Sequence, residues 1–112
     1  MAATPERGDV VTVPFPFTEL TAAKIRPALV LGGWRRDVTL AFLTTQPTDD
    51  PYAVLLRPGT PEFQATGLRA ASTVRLSRLV TVNVSTILRR LGTAGPMIMA
   101  DVNTALRAYL SL

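Results

Sequence analysis

A chain of 112 residues has room for one domain, so residues 1–112 are read as a single unit. Apolar residues make up 47% but Phe, Trp and Tyr only 6%, which excludes a disordered chain and asks for a core of Val, Leu, Ile and Ala. The absence of Cys and His excludes disulfides, thiolate chemistry and imidazole proton shuttles, while a net charge of +4 favours an anionic partner.

The opening residues, MAATPERGDVV, lack the apolar segment of an export signal, and no apolar run approaches the ~20 residues that span a bilayer. A cytoplasmic protein without membrane contact is expected. Asp9–Val13 is a β-branched run that predicts a first strand. The prolines at 14 and 16 cannot donate to a ladder and should end that strand or keep it to an edge. Residues 18–26, TELTAAKIR, read as loop. Pro27–Leu31 predicts a second strand closed by Gly32 and Gly33, and Val38–Thr44 a third after a turn at Arg35-Arg36-Asp37. The polar run TTQPTDDP is loop, and the adjacent acids within it, Asp49 and Asp50, read as solvated turn residues. Ala53–Leu56 predicts a fourth strand that stops at Arg57-Pro58-Gly59, and Val74, Leu76, Leu79 and the run to Val82 add further strand signal. NVSTILRRLG fits a short turn or helix through Val84, Ile87, Leu88 and Leu91, although the β-branched residues before it fit strand. From Pro96 the period changes, and Ile98, Val102, Ala105, Leu106, Tyr109 and Leu110 fall on one helical face. Short strands parted by turn clusters and followed by one helix predict a mainly β fold, a small barrel or sandwich. A mean hydropathy of +0.26 is more apolar than one small core needs, which predicts a homodimer.

Lys24 is the single lysine among twelve basic residues, and the segment from Phe63 to Ala100 holds Arg69, Arg75, Arg78, Arg89 and Arg90 without an acid. Guanidinium groups suit bidentate phosphate contacts, so nucleic acid is the leading partner class. Arg7-Gly8-Asp9 spells an adhesion tripeptide and Asn83-Val84-Ser85 a glycosylation sequon; both presuppose secretion and are read as chance. No metal-binding fingerprint, phosphate loop or nucleotide fold signature occurs, so neither a metal nor a cofactor is expected. Without imidazole, phosphodiester chemistry suits a substrate that brings its own nucleophile, as the ribose 2′-OH of RNA does. The protein then positions the substrate and stabilises charge, and an arginine beside a hydroxyl is the least that this requires.

The blocks GDVVTVPFPF, RPALVL and LTTQ, in this order and at these spacings, resemble the PemK/MazF family of toxin endoribonucleases. The similarity continues through YAVLLRPG and STVRLSRLVTV into the C-terminal helix. The resemblance implies an SH3-like barrel of the PemK/CcdB type with a C-terminal α-helix, assembled as a homodimer. It implies metal-independent cleavage of single-stranded RNA at short specific sequences, leaving 2′,3′-cyclic phosphate and 5′-OH ends. A cognate antitoxin with an acidic, partly disordered segment would hold the activity in check.

Carried over residue by residue, the resemblance assigns catalysis to Arg26 and Thr44. Strand alternation from Phe42 sets 42 and 44 on one face and 45 on the other; which face meets the cleft stays open, so Thr45 is kept as the alternative hydroxyl. Glu19 is the acid in the loop before Arg26 and the candidate to organise the site. Lys24, Thr45, Gln46, Ser72, Thr73 and Arg75 are candidates to line an RNA groove, with Phe15, Phe17 and Trp34 as stacking surfaces for bases. Two other functions suit the same barrel: a toxin that binds DNA gyrase and cleaves nothing, and an inactive nucleic-acid-binding barrel.

Overall fold

In the computed structural model, which describes residues 4–15 and 24–112, Val10 and Val11 are both fully buried although they point to opposite faces of one strand. That strand, β1 (Asp9–Phe15), pairs antiparallel with β2 (Lys24–Trp34) on one side and β6 (Arg89–Thr93) on the other. With β3 (Asp37–Thr44), β4 (Ala53–Leu56) and β5 (Ser72–Asn83) they form a six-stranded sheet in the order β4-β5-β3-β2-β1-β6. The sheet curls into a half-barrel. One face buries Val10, Leu29, Leu31, Ala41 and Leu43 against Val102 of the terminal helix α2 (Pro96–Leu110). The other buries Val11, Val13, Ala28, Val30 and Leu40 with Ile87. Burial on both sides explains why Val10-Val11 and ALVL are consecutive apolar residues where a sheet with one wet face would alternate.

Three expectations from the sequence are corrected here. β2 begins at Lys24, not at Pro27, so Arg26 is already strand and pairs with Val13. It also runs on through Gly32 and Gly33, past a bulge after Val30, to a two-residue turn where Arg35 has φ 58. At Pro14 the expected edge is found instead of a stop: β1 continues to Phe15 paired with β2 alone, since the β6 ladder ends at Thr12↔Arg89 and asks for no amide from Pro14. Residues 84–93 are a 3₁₀ turn, Val84–Thr86, followed by strand and not helix. Asn83 caps that turn by accepting from the Ser85 amide at 2.9 Å, and the ladder to β1 then outweighs the local helical spacing.

The short helix α1 (Pro61–Ala65) leaves no periodic trace because it buries one residue, Phe63. Its signal is capping chemistry: the Thr60 hydroxyl accepts from the Phe63 amide at 3.0 Å, with Pro61 opening the first turn. Glu62 then serves a second helix. Its carboxylate accepts from the Met97 and Ile98 amides at 3.0 and 2.9 Å, capping α2 where Gly95 has no side chain to do so. Neither helix is long and apolar enough to cross a membrane.

β6 crosses the end of α1 at van der Waals limits. A Cβ on Gly92 would stand 2.1 Å from the Ala65 carbonyl oxygen and 2.6 Å from the Thr66 carbonyl carbon. Thr66 is itself fully buried and donates to the Phe63 carbonyl, so the helix end has no room to retreat. Gly92→Ala should therefore cost about 3 kcal/mol or more, read as a lower urea midpoint with the slope unchanged. A loss under about 1 kcal/mol would mean that the junction yields.

Candidate active site

Antiparallel pairing lays the start of β2 beside the end of β3. The register Ala28↔Phe42, continued by two residues, sets Arg26 level with Thr44, and alternation puts both on the face that carries Ala28 and Phe42. Both line one hollow of about 530 Å³, together with Gln46, Arg75, Arg78 and the Phe42 ring. Phe42 meets Phe15, also in the wall, with ring centroids 4.4 Å apart and planes tilted by 53°. The Thr44 hydroxyl accepts from the Gln46 amide at 3.0 Å, which fixes its oxygen and leaves its proton to donate into the hollow.

The remaining sequence candidates fall elsewhere. Thr45 and Lys24 are exposed and outside the lining. Ser72 is 4% exposed and donates to the Ala70 carbonyl at 2.9 Å, so it faces the interior. Thr73 pairs with Thr44 in the ladder but does not line the hollow. Trp34 stands at the far hairpin, 72% exposed, with the Arg35 guanidinium 4.5 Å above its ring. Glu19 and Phe17 lie outside the described residues.

The opposite wall comes from an irregularity in β5. The β3–β5 ladder passes from Ala41↔Leu79 to Leu43↔Val74, so residues 75–78 all stand opposite Phe42. The extra residues arch away from β3, although Arg75 keeps its pairing with Ala53 of β4: Leu76 turns into the core, while Arg75 and Arg78 turn to the hollow. Asp50, from the loop after β3, braces this arch. Its Oδ2 accepts from the Ser77 hydroxyl, its Oδ1 accepts from the Tyr52 amide at 2.8 Å, and Oδ2 lies 3.6 Å from a terminal nitrogen of Arg75. The Ser77 hydroxyl first, then the Tyr52 amide, then the Arg75 charge outweigh burial and hold the Asp50 carboxyl below its ordinary 3.8. Only Asp49 of the acidic pair is a solvated turn residue; the Asp50 side chain is 6% exposed.

Three guanidinium groups thus face one hollow whose floor is aromatic and aliphatic. Among the described residues, Arg26 and Arg78 have no acid partner, and the buried Nε of Arg75 has no hydrogen-bond acceptor. No group of three or more His, Cys, Asp or Glu among them stands where it could hold a metal ion. The arrangement suits an anion flanked by a flat apolar group, which is the make-up of a nucleotide. Asp50 and Ser77 are the site residues that the sequence reading passed over, and Arg78 was seen only as one of the arginines in the acid-free segment. For Ser77 and Arg78 the signal was the broken alternation of RLSRL, which regular strand does not produce.

The sequence pattern of the PemK-like, MazF-like toxins of type II toxin–antitoxin systems matches residues 6–110. Compared by sequence with individual curated proteins, the chain has no significant match. Among solved structures, a mycobacterial endoribonuclease in complex with its cognate antitoxin is similar over 97% of each chain, at 24% identity and a TM-score of 0.77. A second mycobacterial endoribonuclease is 26% identical over 96% of this chain and 92% of its own, with a TM-score of 0.71. A chain of the MazE–MazF complex from Deinococcus radiodurans is 22% identical over 96% of each, with a TM-score of 0.74. The first and third share the fold at under a quarter identity.

Because the folded state holds the Asp50 carboxyl below its ordinary value, the charged form stabilises the fold above pH 3.8, and that contribution is lost as pH falls through the folded value. Wild type should therefore melt at a higher temperature than Asp50→Asn at pH 7, with the gap closing below pH 3.8. A gap that is constant across this range would show that the charge is not what Asp50 contributes.

Proposed function

Since the chain belongs to the PemK-like, MazF-like toxins of type II toxin–antitoxin systems, we propose that it is an endoribonuclease that cuts single-stranded RNA in the hollow between Arg26 and Thr44. One observation carries this reading: a strand-borne arginine and a strand-borne hydroxyl are brought level, in a hollow with two further guanidiniums, in a chain without histidine. The likeness to an endoribonuclease at 26% identity supports it.

The ribose 2′-oxygen attacks the adjacent phosphorus, forming the O2′–P bond as the P–O5′ bond breaks. The 2′ proton passes to water and the 5′-oxygen takes one from water, leaving a 2′,3′-cyclic phosphate and a 5′-OH. Arg26 binds the non-bridging oxygens through its fork of N–H donors as their charge builds, and Thr44 donates a further hydrogen bond. Arginine stays protonated throughout, so its part is electrostatic and not proton transfer. Both side chains start from paired strand, which fixes their backbone in place before substrate arrives.

Regulation follows from the same charges. An acidic, disordered antitoxin segment would fold across the arginine-lined hollow in place of RNA, burying part of the exposed apolar surface. Ile25 at 58% exposure and Trp34 at 72% support a second copy of the chain as a further cover.

Purified protein should cut a long single-stranded RNA in EDTA at reproducible positions. Arg26→Ala should slow cutting at least ~10²-fold, the cost of one donor to a developing oxyanion. A loss below about tenfold with the fold intact would remove Arg26 from the mechanism. RNA left whole by a protein that stalls gyrase would move the chain to the non-cleaving function of this barrel.

A further inference from the structure

A carboxylate beside a phosphate-binding face is out of place on charge alone, since it repels what the arginines attract. Asp50 nevertheless stands there, behind the arch of β5. Its bond from Ser77 ties down the middle of the arch, and its bond from the Tyr52 amide anchors the carboxylate to the start of the next strand. Arg75 stands two residues before Ser77, on the same side of the chain, and its terminal nitrogen is 3.6 Å from the same oxygen. That distance is too long for a hydrogen bond and short enough for the charge to set the orientation of the guanidinium. The result is an arginine held from behind. Its Nε is buried and has no acceptor among the described residues, while the side chain as a whole is 29% exposed and lines the hollow. Buried N–H groups are ordinarily paired, so this guanidinium is short of acceptors, and an anion in the hollow would meet its exposed part.

Building on the ribonuclease reading, we propose that Asp50 is a positioning residue: it clamps the β5 arch through Ser77 and turns Arg75 so that the exposed part of its guanidinium meets a phosphate of the RNA strand other than the one Arg26 holds. Asp50 itself touches no substrate. The hollow then grips two phosphates of one strand, and the acid sets the spacing between the grips.

The sign of one substitution separates this from simple proximity. Asp50→Asn deletes a negative charge from an RNA-facing wall, so bulk electrostatics alone would tighten RNA binding; positioning requires that it loosen. The probe is a 2′-O-methylated strand spanning a mapped cut site, or a strand of mixed sequence where no cut is found, followed by fluorescence anisotropy over a range of salt. Asp50→Asn should weaken binding about tenfold. On the cleavable strand it should raise KM by a similar factor and leave kcat within about threefold. Arg75→Ala should weaken binding as much and lower the slope of log Kd against log salt by about 0.7, one phosphate contact on a single strand. The double variant Asp50→Asn/Arg75→Ala should bind no worse than Arg75→Ala alone, because the acid acts through the arginine.

If Asp50→Asn does not fold, Ser77→Ala decides, since it keeps the carboxylate and loosens the arch. It too should raise KM severalfold, and unchanged binding would overturn the proposal. Asp50→Asn protein that is folded and binds RNA as tightly as wild type, or more tightly, overturns it while leaving the ribonuclease intact. Wild-type protein that neither binds nor cuts RNA overturns both.

Discussion

Burial of the sheet on both faces is the constraint on which the rest depends. A strand with an apolar layer above and below has no position in its middle where an arginine can sit without losing its water. In β1, β2 and β3 the central side chains are mainly Val, Leu and Ala, with Thr12 and Thr39 half-buried among them, and the charged ones are pushed toward the strand ends. Antiparallel order then does the sorting, because the start of β2 must lie beside the end of β3. Arg26 and Thr44 line one rim for that reason, eighteen positions apart in the chain and each two residues beyond the last pair of the β2–β3 ladder. The hollow itself is where the second apolar layer runs out, which is why Phe42 and Val80 belong both to that layer and to the wall of the site.

The chemistry available on this rim is set by what is missing from the composition. With no imidazole to move protons, the site has fixed charge and fixed geometry to work with. Arginine suits that work better than lysine, since its planar donors match two phosphate oxygens at once and it loses less freedom per bond formed. Three such groups close together repel one another, and the aliphatic floor beneath them gives no relief. Asp50 lowers that cost on one wall while standing behind the guanidinium it neutralises, so the front of the hollow stays positive.

The strands, their order along the chain and the terminal helix were legible because each rests on a pattern within about ten residues: a β-branched run, a helical repeat, a glycine or proline stop. Arg26 and Thr44 were legible through resemblance, since spacing alone says nothing about which strand lies beside which. What was not legible depends on contacts between distant segments. Residues 89–93 are strand because β1 lies open beside them, and the local spacing of Leu88 and Leu91 says otherwise. Asp50 reads as a turn acid until Ser77, far along the chain, is known to reach it. Lys24 and Ser72 looked alike as polar residues near a groove, yet pairing turns one to solvent and the other inward.

The arch of β5 sits between two anchored stretches of ladder, Leu43↔Val74 on one side and Ala41↔Leu79 on the other. Between those points Arg75 keeps its pairing with Ala53 of β4 and Leu76 fills the core, while Ser77 and Arg78 stand outside both ladders, so a change at these two slides no strand past its neighbour. Elsewhere in the sheet the same change would turn one buried face to solvent. Descendants of this chain therefore have a place where the wall of the hollow can be retuned at small cost to folding. Divergence is expected to accumulate there, while the rim that carries Arg26 and Thr44 stays still.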